Sequence, residues 1–179
     1  MLPLTPEERA ARPRAESLST ATEPFSWLAP GRRGALLLAA VGVIGIAVAG
    51  YLTSVHYANV PLVCSSSGIV NCAEVLSSKY SVIPGSNVPI TLPGIGFFLI
   101  SLALAVAQYR RPRDEGLRRA HFGWACLGLL TVFYLVFVEL VELKVICLWC
   151  TSIHLMIVIT LITTGWRLQP HNRGSLTRS

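Results

Sequence analysis

Four long apolar runs fix the class of fold open to this chain. Gly34 to Ser54 and Val88 to Tyr109 carry no charged residue, and each approximates the ~20 residues that a helix needs to cross ~30 Å of hydrocarbon. Phe122 to Val138 is a little shorter and can extend to His121 or to Glu139 and beyond. Val145 to Trp166 contains only His154 as an ionisable group besides its cysteines. With 53% of its residues hydrophobic, the chain is too apolar for a soluble domain of this size. The expected fold is an all-α integral membrane protein: a four-transmembrane-helix bundle with spans at about 34–54, 88–109, 121–140 and 145–166. Residues 55–87 form a short outer cap loop.

Basic residues give the orientation. Arg9, Arg12, Arg14, Arg32 and Arg33 precede the first span, and Arg110, Arg111, Arg113, Arg118 and Arg119 fill the loop between spans two and three. Arg167, Arg173 and Arg178 follow the last span, leaving only Lys79 and Lys144 for the other side. Both termini are therefore expected to be cytoplasmic. The net charge of +6 is this topological bias and not a nucleic-acid-binding surface. Residues 1–33 read as a disordered cytoplasmic tail and not as a cleaved leader, and 167–179 as a second cytoplasmic tail. Trp27, Tyr51, Tyr109, Trp124, Trp149 and Trp166 fall near span ends, where amphipathic rings favour the interface. Trp149 is set apart by lying between two cysteines. The Arg-rich, Lys-poor composition fits a high-GC bacterium, and hence a bacterial cytoplasmic membrane.

The cap loop is less polar than a solvated loop, with residues such as Ile69, Val70, Val75 and Tyr80 suited to packing on the bundle. A short helix is predicted over Asn71 to Lys79, with Asn71 as N-cap and Glu74 in the capping-box position. Pro84-Gly85 and Pro89 mark the turn into span two.

Topology puts four of the five cysteines on one side of the membrane. Cys147 and Cys150 form a C-x-x-C one helical turn apart at the start of span four, where the helix dipole and free N–H groups lower a thiol pKa. This is a recurrent dithiol redox arrangement. C-type haem attachment is disfavoured because Thr151 stands where a His is needed. A structural zinc site would need all of Cys64, Cys72, Cys147 and Cys150, and the seven-residue gap between the first two is not a usual zinc spacing. Cys64 and Cys72 would by themselves read as a fixed disulfide stapling the loop; beside a second dithiol on the same face, a shuttle becomes the stronger reading. A non-enzymatic membrane protein with structural disulfides or a bound metal stays open. No flavin, haem or nucleotide fingerprint is present.

The C-x7-C of the first outer loop, Ser78 six residues after Cys72, and the C-x-x-C opening span four resemble the vitamin K epoxide reductase family. Pro89 and Gly94 enter span two much as in bacterial members, and the resemblance covers about residues 34–166. It implies a membrane thiol:quinone oxidoreductase supporting disulfide formation in exported proteins, with the redox site on the outer face. Electrons would enter at Cys64, pass from Cys72 to Cys147, and leave from Cys150 to a membrane quinone such as menaquinone, ubiquinone or vitamin K. Ser78 maps to the family's loop serine. His154 stands where animal enzymes carry a quinone-contacting Tyr, and Asn87 loosely matches their Asn, which favours a plain quinone over epoxide reduction. The 13 residues after Trp166 are too few for the thioredoxin-like domain that many bacterial homologues append. The expected thiol partner is thus a separate thioredoxin-like or DsbA-like protein.

Within the bundle, His154 is a candidate proton donor or carbonyl partner to the quinone. Glu139 and Glu142 end span three near the outer surface and read as solvated, with proton supply as the alternative. Cys126 reads as a small buried hydrophobe, and His56, His121 and His171 carry no functional expectation.

Overall fold

A computed structural model describes residues 32–58, 64, 69–83 and 85–168. Four long helices dominate it: α1 (Arg32–Ala58), α3 (Thr91–Arg110), α4 (Glu115–Phe137) and α5 (Leu148–Leu168). Each is long and apolar enough to cross a membrane, counting α4 together with its continuation to Leu143. A short helix, α2 (Cys72–Ser77), and a single 3-10 turn (Lys79–Ser81) lie between α1 and α3. Span three is longer than the sequence predicts, because Asp114 caps α4 by accepting from the Leu117 N–H at 3.1 Å, seven residues before the expected start. Of the tails expected at 1–33 and 167–179, residues 32–33 and 167–168 belong to the first and last long helices, while 1–31 and 169–179 lie outside the described residues, as do Trp27, His171 and Pro84.

The helices pack as a closed ring in which α1 touches α3 and α5, and α4 touches the same two. Between apolar helices in lipid there is little hydrophobic drive, so close backbone approach has to supply the contact. Gly45 on α1 gives that approach: a Cβ there would lie 2.4 Å from the Phe98 ring of α3. Gly128 on α4 makes the same allowance for Phe97, with 2.6 Å to its ring. Phe98, Val132 and Ile157 form the centre of the bundle, while Leu130, Phe133 and Leu155 point outward, as lipid-facing residues must. Trp124 is not an interfacial anchor. It stacks on Phe97 at 5.6 Å and donates to the Phe97 carbonyl at 3.1 Å, tying α4 to α3.

The described part of the cap from residue 69 onward is held at both of its ends. Asn71 caps α2 by accepting from the Glu74 N–H at 3.2 Å, while its amide donates to the Glu74 carboxylate at 3.0 Å. The entry to α3 is a small reversal in which Ile83 N–H donates to the Val88 carbonyl and Ile90 N–H to the Ser81 carbonyl. Gly85 sits there at φ +80°, a conformation glycine adopts without penalty. Tyr80 reaches across to Glu142, 3.0 Å away.

Gly45→Ala is expected to lower the detergent-solubilised protein's stability by about 1–3 kcal/mol, since the buried Phe98 ring has nowhere to go. Gly50→Ala, with open space around its Cβ position, serves as the control and should be neutral or slightly stabilising. Thermal unfolding followed by circular dichroism measures both.

Candidate active site

Two turns of irregular backbone position the cysteines. After Phe137, α4 widens into a π-helical turn, Val138–Leu143, which ends at Lys144 in the left-handed conformation (φ 57°). The N–H groups of Lys144 and Val145 both donate to the Glu139 carbonyl. The chain then runs beside the cap: Ile146 N–H donates to the Ile69 carbonyl at 2.8 Å and Asn71 N–H to the Ile146 carbonyl at 3.1 Å. This is a parallel bridge between Val70 and Ile146. The next residues start α2 at Cys72 and lead into α5 through Cys147. Two helices thus begin side by side, each at a cysteine, and both cysteines are buried (Cys72 1%, Cys147 0% exposed).

Cys64 and Cys72 form a disulfide, with Cα atoms 6.2 Å apart. Cys126, Cys147 and Cys150 are free thiols; Cys126 is only half-buried, against expectation. No group of three or more metal-ligating side chains assembles among the described residues.

Cys147 immediately precedes α5, and its sulfur accepts from the Cys150 backbone N–H at 3.4 Å, the place an N-cap oxygen would take. The Cys150 thiol is the main influence holding the Cys147 thiol below its ordinary pKa, with the Cys150 and Trp149 N–H groups adding to it. Burial and the Glu139 charge push the other way but do not prevail. Trp149, between the cysteines, packs against Tyr51 of α1 at 5.1 Å and so anchors the start of α5.

Cys150, in contact with Cys147, also lines a small cleft that opens between the cap and the helix ends. Its walls are largely apolar, from Leu52, Pro89, Leu135 and Val138. Polar groups enter from Ser78, His56 and Glu139. An apolar cleft with a few polar groups has the chemical character of a small-ligand site.

The candidate residues divide accordingly. Cys150 and Ser78 line the cleft; the Ser78 hydroxyl donates to the Val75 carbonyl at 2.8 Å, closing α2. His154 is buried one turn further along α5 and is not among the lining residues. Asn87 stands exposed in the turn before α3 and is not brought to the cleft either.

Two residues that sequence reasoning did not count among the site residues are present instead. His56 lines the cleft from the end of α1. Glu139 is not solvated: it is 6% exposed, and its carboxyl meets the Cys147 backbone N–H and the Cys150 thiol. The available signal was its place at the edge of an apolar run. It lies inside the expected span 121–140, where a carboxyl is a functional candidate by default.

A four-helix membrane bundle that closes a disulfide-bonded cap over a helix-start dithiol has the form of a membrane oxidoreductase. The chain matches the Vitamin K epoxide reductase family over residues 36–165 and belongs to it. Membership makes it an integral membrane oxidoreductase of a family that acts on quinone-type substrates. Comparison with curated proteins gives no significant match.

Replacing Cys150 by Ala should raise the pH at which Cys147 ionises towards the usual ~8.5 of a free thiol. With Cys64, Cys72 and Cys126 also replaced by Ala, thiolate ultraviolet absorbance against pH reads this directly. An unchanged midpoint would show that Cys150 does not set the Cys147 thiol.

Proposed function

We propose that the protein is a thiol:quinone oxidoreductase that makes disulfides for exported proteins. In this reading a reduced thioredoxin-like or DsbA-like protein attacks the Cys64–Cys72 disulfide at Cys64. Cys72 leaves as a thiolate and attacks Cys147 of an oxidised Cys147–Cys150 pair, and the chain's own disulfide at 64–72 is restored as the partner dithiol is oxidised. The reduced Cys147–Cys150 dithiol then closes to a disulfide, and its two electrons and two protons convert quinone to quinol. The observation that carries the reading is the division of the dithiol: Cys147 is buried beside the cap helix that starts at Cys72, whereas Cys150 opens onto the apolar cleft.

The acceptor would be a membrane quinone, menaquinone, ubiquinone or vitamin K, with its ring in the cleft and its tail between lipid-exposed helices. Glu139, in contact with the Cys150 thiol at the cleft wall, takes the proton that leaves the thiol and passes it to the quinone oxygen. Ser78 and His56 are further polar groups available to the ring. The excess of arginine at the other end of the bundle supports cytoplasmic termini and an extracytoplasmic redox face, in a bacterial cytoplasmic membrane.

The test follows quinone absorbance with purified protein, a reduced thioredoxin-like partner or a small dithiol, and a soluble quinone. Cys150→Ala should abolish reduction from either donor. Cys64→Ala should lose only the reaction driven by the protein partner. Parent protein that shows no thiol-dependent reduction, or variants that match it, would leave the cysteines with a structural role.

Glu139→Gln should cut turnover about a hundredfold, within the range for general acid–base groups, with little change in KM for quinone. A purely structural Glu139 would instead alter stability and leave turnover near that of the parent.

A further inference from the structure

The end of the bundle remote from the cysteines holds a second buried polar cluster that the redox chemistry does not use. Three helices contribute: Gln108 from α3, Arg118 and His121 from α4, and Arg167 from the last turn of α5. Gln108 Nε2 donates to the Leu117 carbonyl at 3.2 Å, which fixes that atom as nitrogen. The same nitrogen lies 3.0 Å from His121 Nδ1, so Nδ1 is the acceptor and the proton of the neutral ring sits on Nε2. His121 is 0% exposed, and that Nε2–H has no partner among the described residues.

Arg167 is in the same position. It is 2% exposed, with Nε and Nη1 both unpartnered. Arg118 donates from Nη1 to the Arg167 carbonyl at 3.2 Å, and its own Nε is unpartnered. The Arg167 charge reaches His121, and that of Arg118 reaches Arg167. Every unsatisfied atom in the cluster is an N–H donor. Among the described residues, the one carboxylate paired with it is that of Glu115, 3.9 Å from Arg118 and closer, at 3.1 Å, to the exposed Arg119. Buried cations without acceptors are costly, and neighbouring buried donors on two helices with no acceptor have the chemistry of an oxyanion site.

We propose that Arg118, His121 and Arg167 bind a phosphate group, as carried by an anionic lipid headgroup or by free phosphate. Phosphate oxygens accept from several donors at once, and guanidinium groups match them in a bidentate way. A basic pocket between helix ends, at the level of the headgroups, is where an anionic lipid is positioned to supply one. Arg118 remains partly exposed (side chain 17%) and marks the mouth of the site.

The experiment is a thermal-shift titration of the full chain in mild detergent. Phosphatidylglycerol, phosphatidylcholine, inorganic phosphate, and sodium chloride at matched ionic strength are each added. A rise in unfolding midpoint with phosphatidylglycerol but not with the other three assigns a lipid headgroup. An equal rise with inorganic phosphate assigns the free anion. No rise with either, or an equal rise with sodium chloride, overturns the site. Arg167→Gln should weaken the effective additive about tenfold, the loss of one charge-assisted hydrogen bond. Arg118→Gln, at the more exposed position, should act in the same direction and serves if Arg167→Gln does not fold. Variants that both respond like the parent would overturn the assignment. Quinone reduction need not change in either variant, so this test stands apart from that of the redox reading.

Discussion

The redox end of this protein depends on a very short piece of backbone pairing. Two hydrogen bonds between Ile69–Asn71 and Ile146 join the cap to the α4–α5 connection. A bridge so small has no stability of its own in water. It persists here because the segment carrying Ile146 is already fixed, by the π-helical turn on one side and by the Trp149–Tyr51 contact on the other. Parallel pairing matters more than its strength. Both strands run toward a helix start, so the pairing register carries over into the register of Cys72 and Cys147.

The π-helical turn has a second consequence. A regular α-helix continuing from Phe137 would bond the Glu139 carbonyl to residue 143; instead it receives the N–H groups of 144 and 145. The extra residue turns the segment and brings the Glu139 side chain against the dithiol, as π-helical insertions often do at functional sites. In the proposed mechanism, a carboxyl able to hold or release a proton, next to a thiol that loses one, would couple electron movement to proton movement within a single turn. The other carboxylates near the cap are occupied, since Glu74 is committed to α2 and Glu142 to Tyr80.

This difference between regular and irregular backbone also explains what the sequence discloses. The four spans are legible because the membrane imposes a length and a composition on each of them. The start of α2 is legible because Asn71 and Glu74 are a local pattern with a local cause. The cysteine spacing is legible as chemistry because a dithiol one helical turn apart is defined by residue type and separation alone. Glu139 is not, because its burial comes from a helix irregularity without a Pro or Gly to announce it. His56 and Trp124 are misread for a related reason: a span end looks like an interface in one dimension, while packing of the cap over His56 and of Phe97 on Trp124 decides their surroundings in three. Asn87 shows the converse, since a sequence position near a turn says little about the direction in which the turn points.

A single helix connects the two ends of the bundle, and its electrostatics suit both. α5 begins beside the Cys147 sulfur, which accepts from its first turn, and carries Arg167 in its last turn, whose carbonyl accepts from Arg118. Anionic character at a helix N-terminus and cations at its C-terminus both complement the helix dipole. Reduction of the dithiol to a thiolate therefore strengthens the interaction at the N-terminal end, and arginine at the other end does so permanently. The same helix direction that favours a reactive sulfur on one side of the membrane also favours the basic cluster on the other. Charge bias along the chain and thiol reactivity at the cap are thus two expressions of one helix orientation.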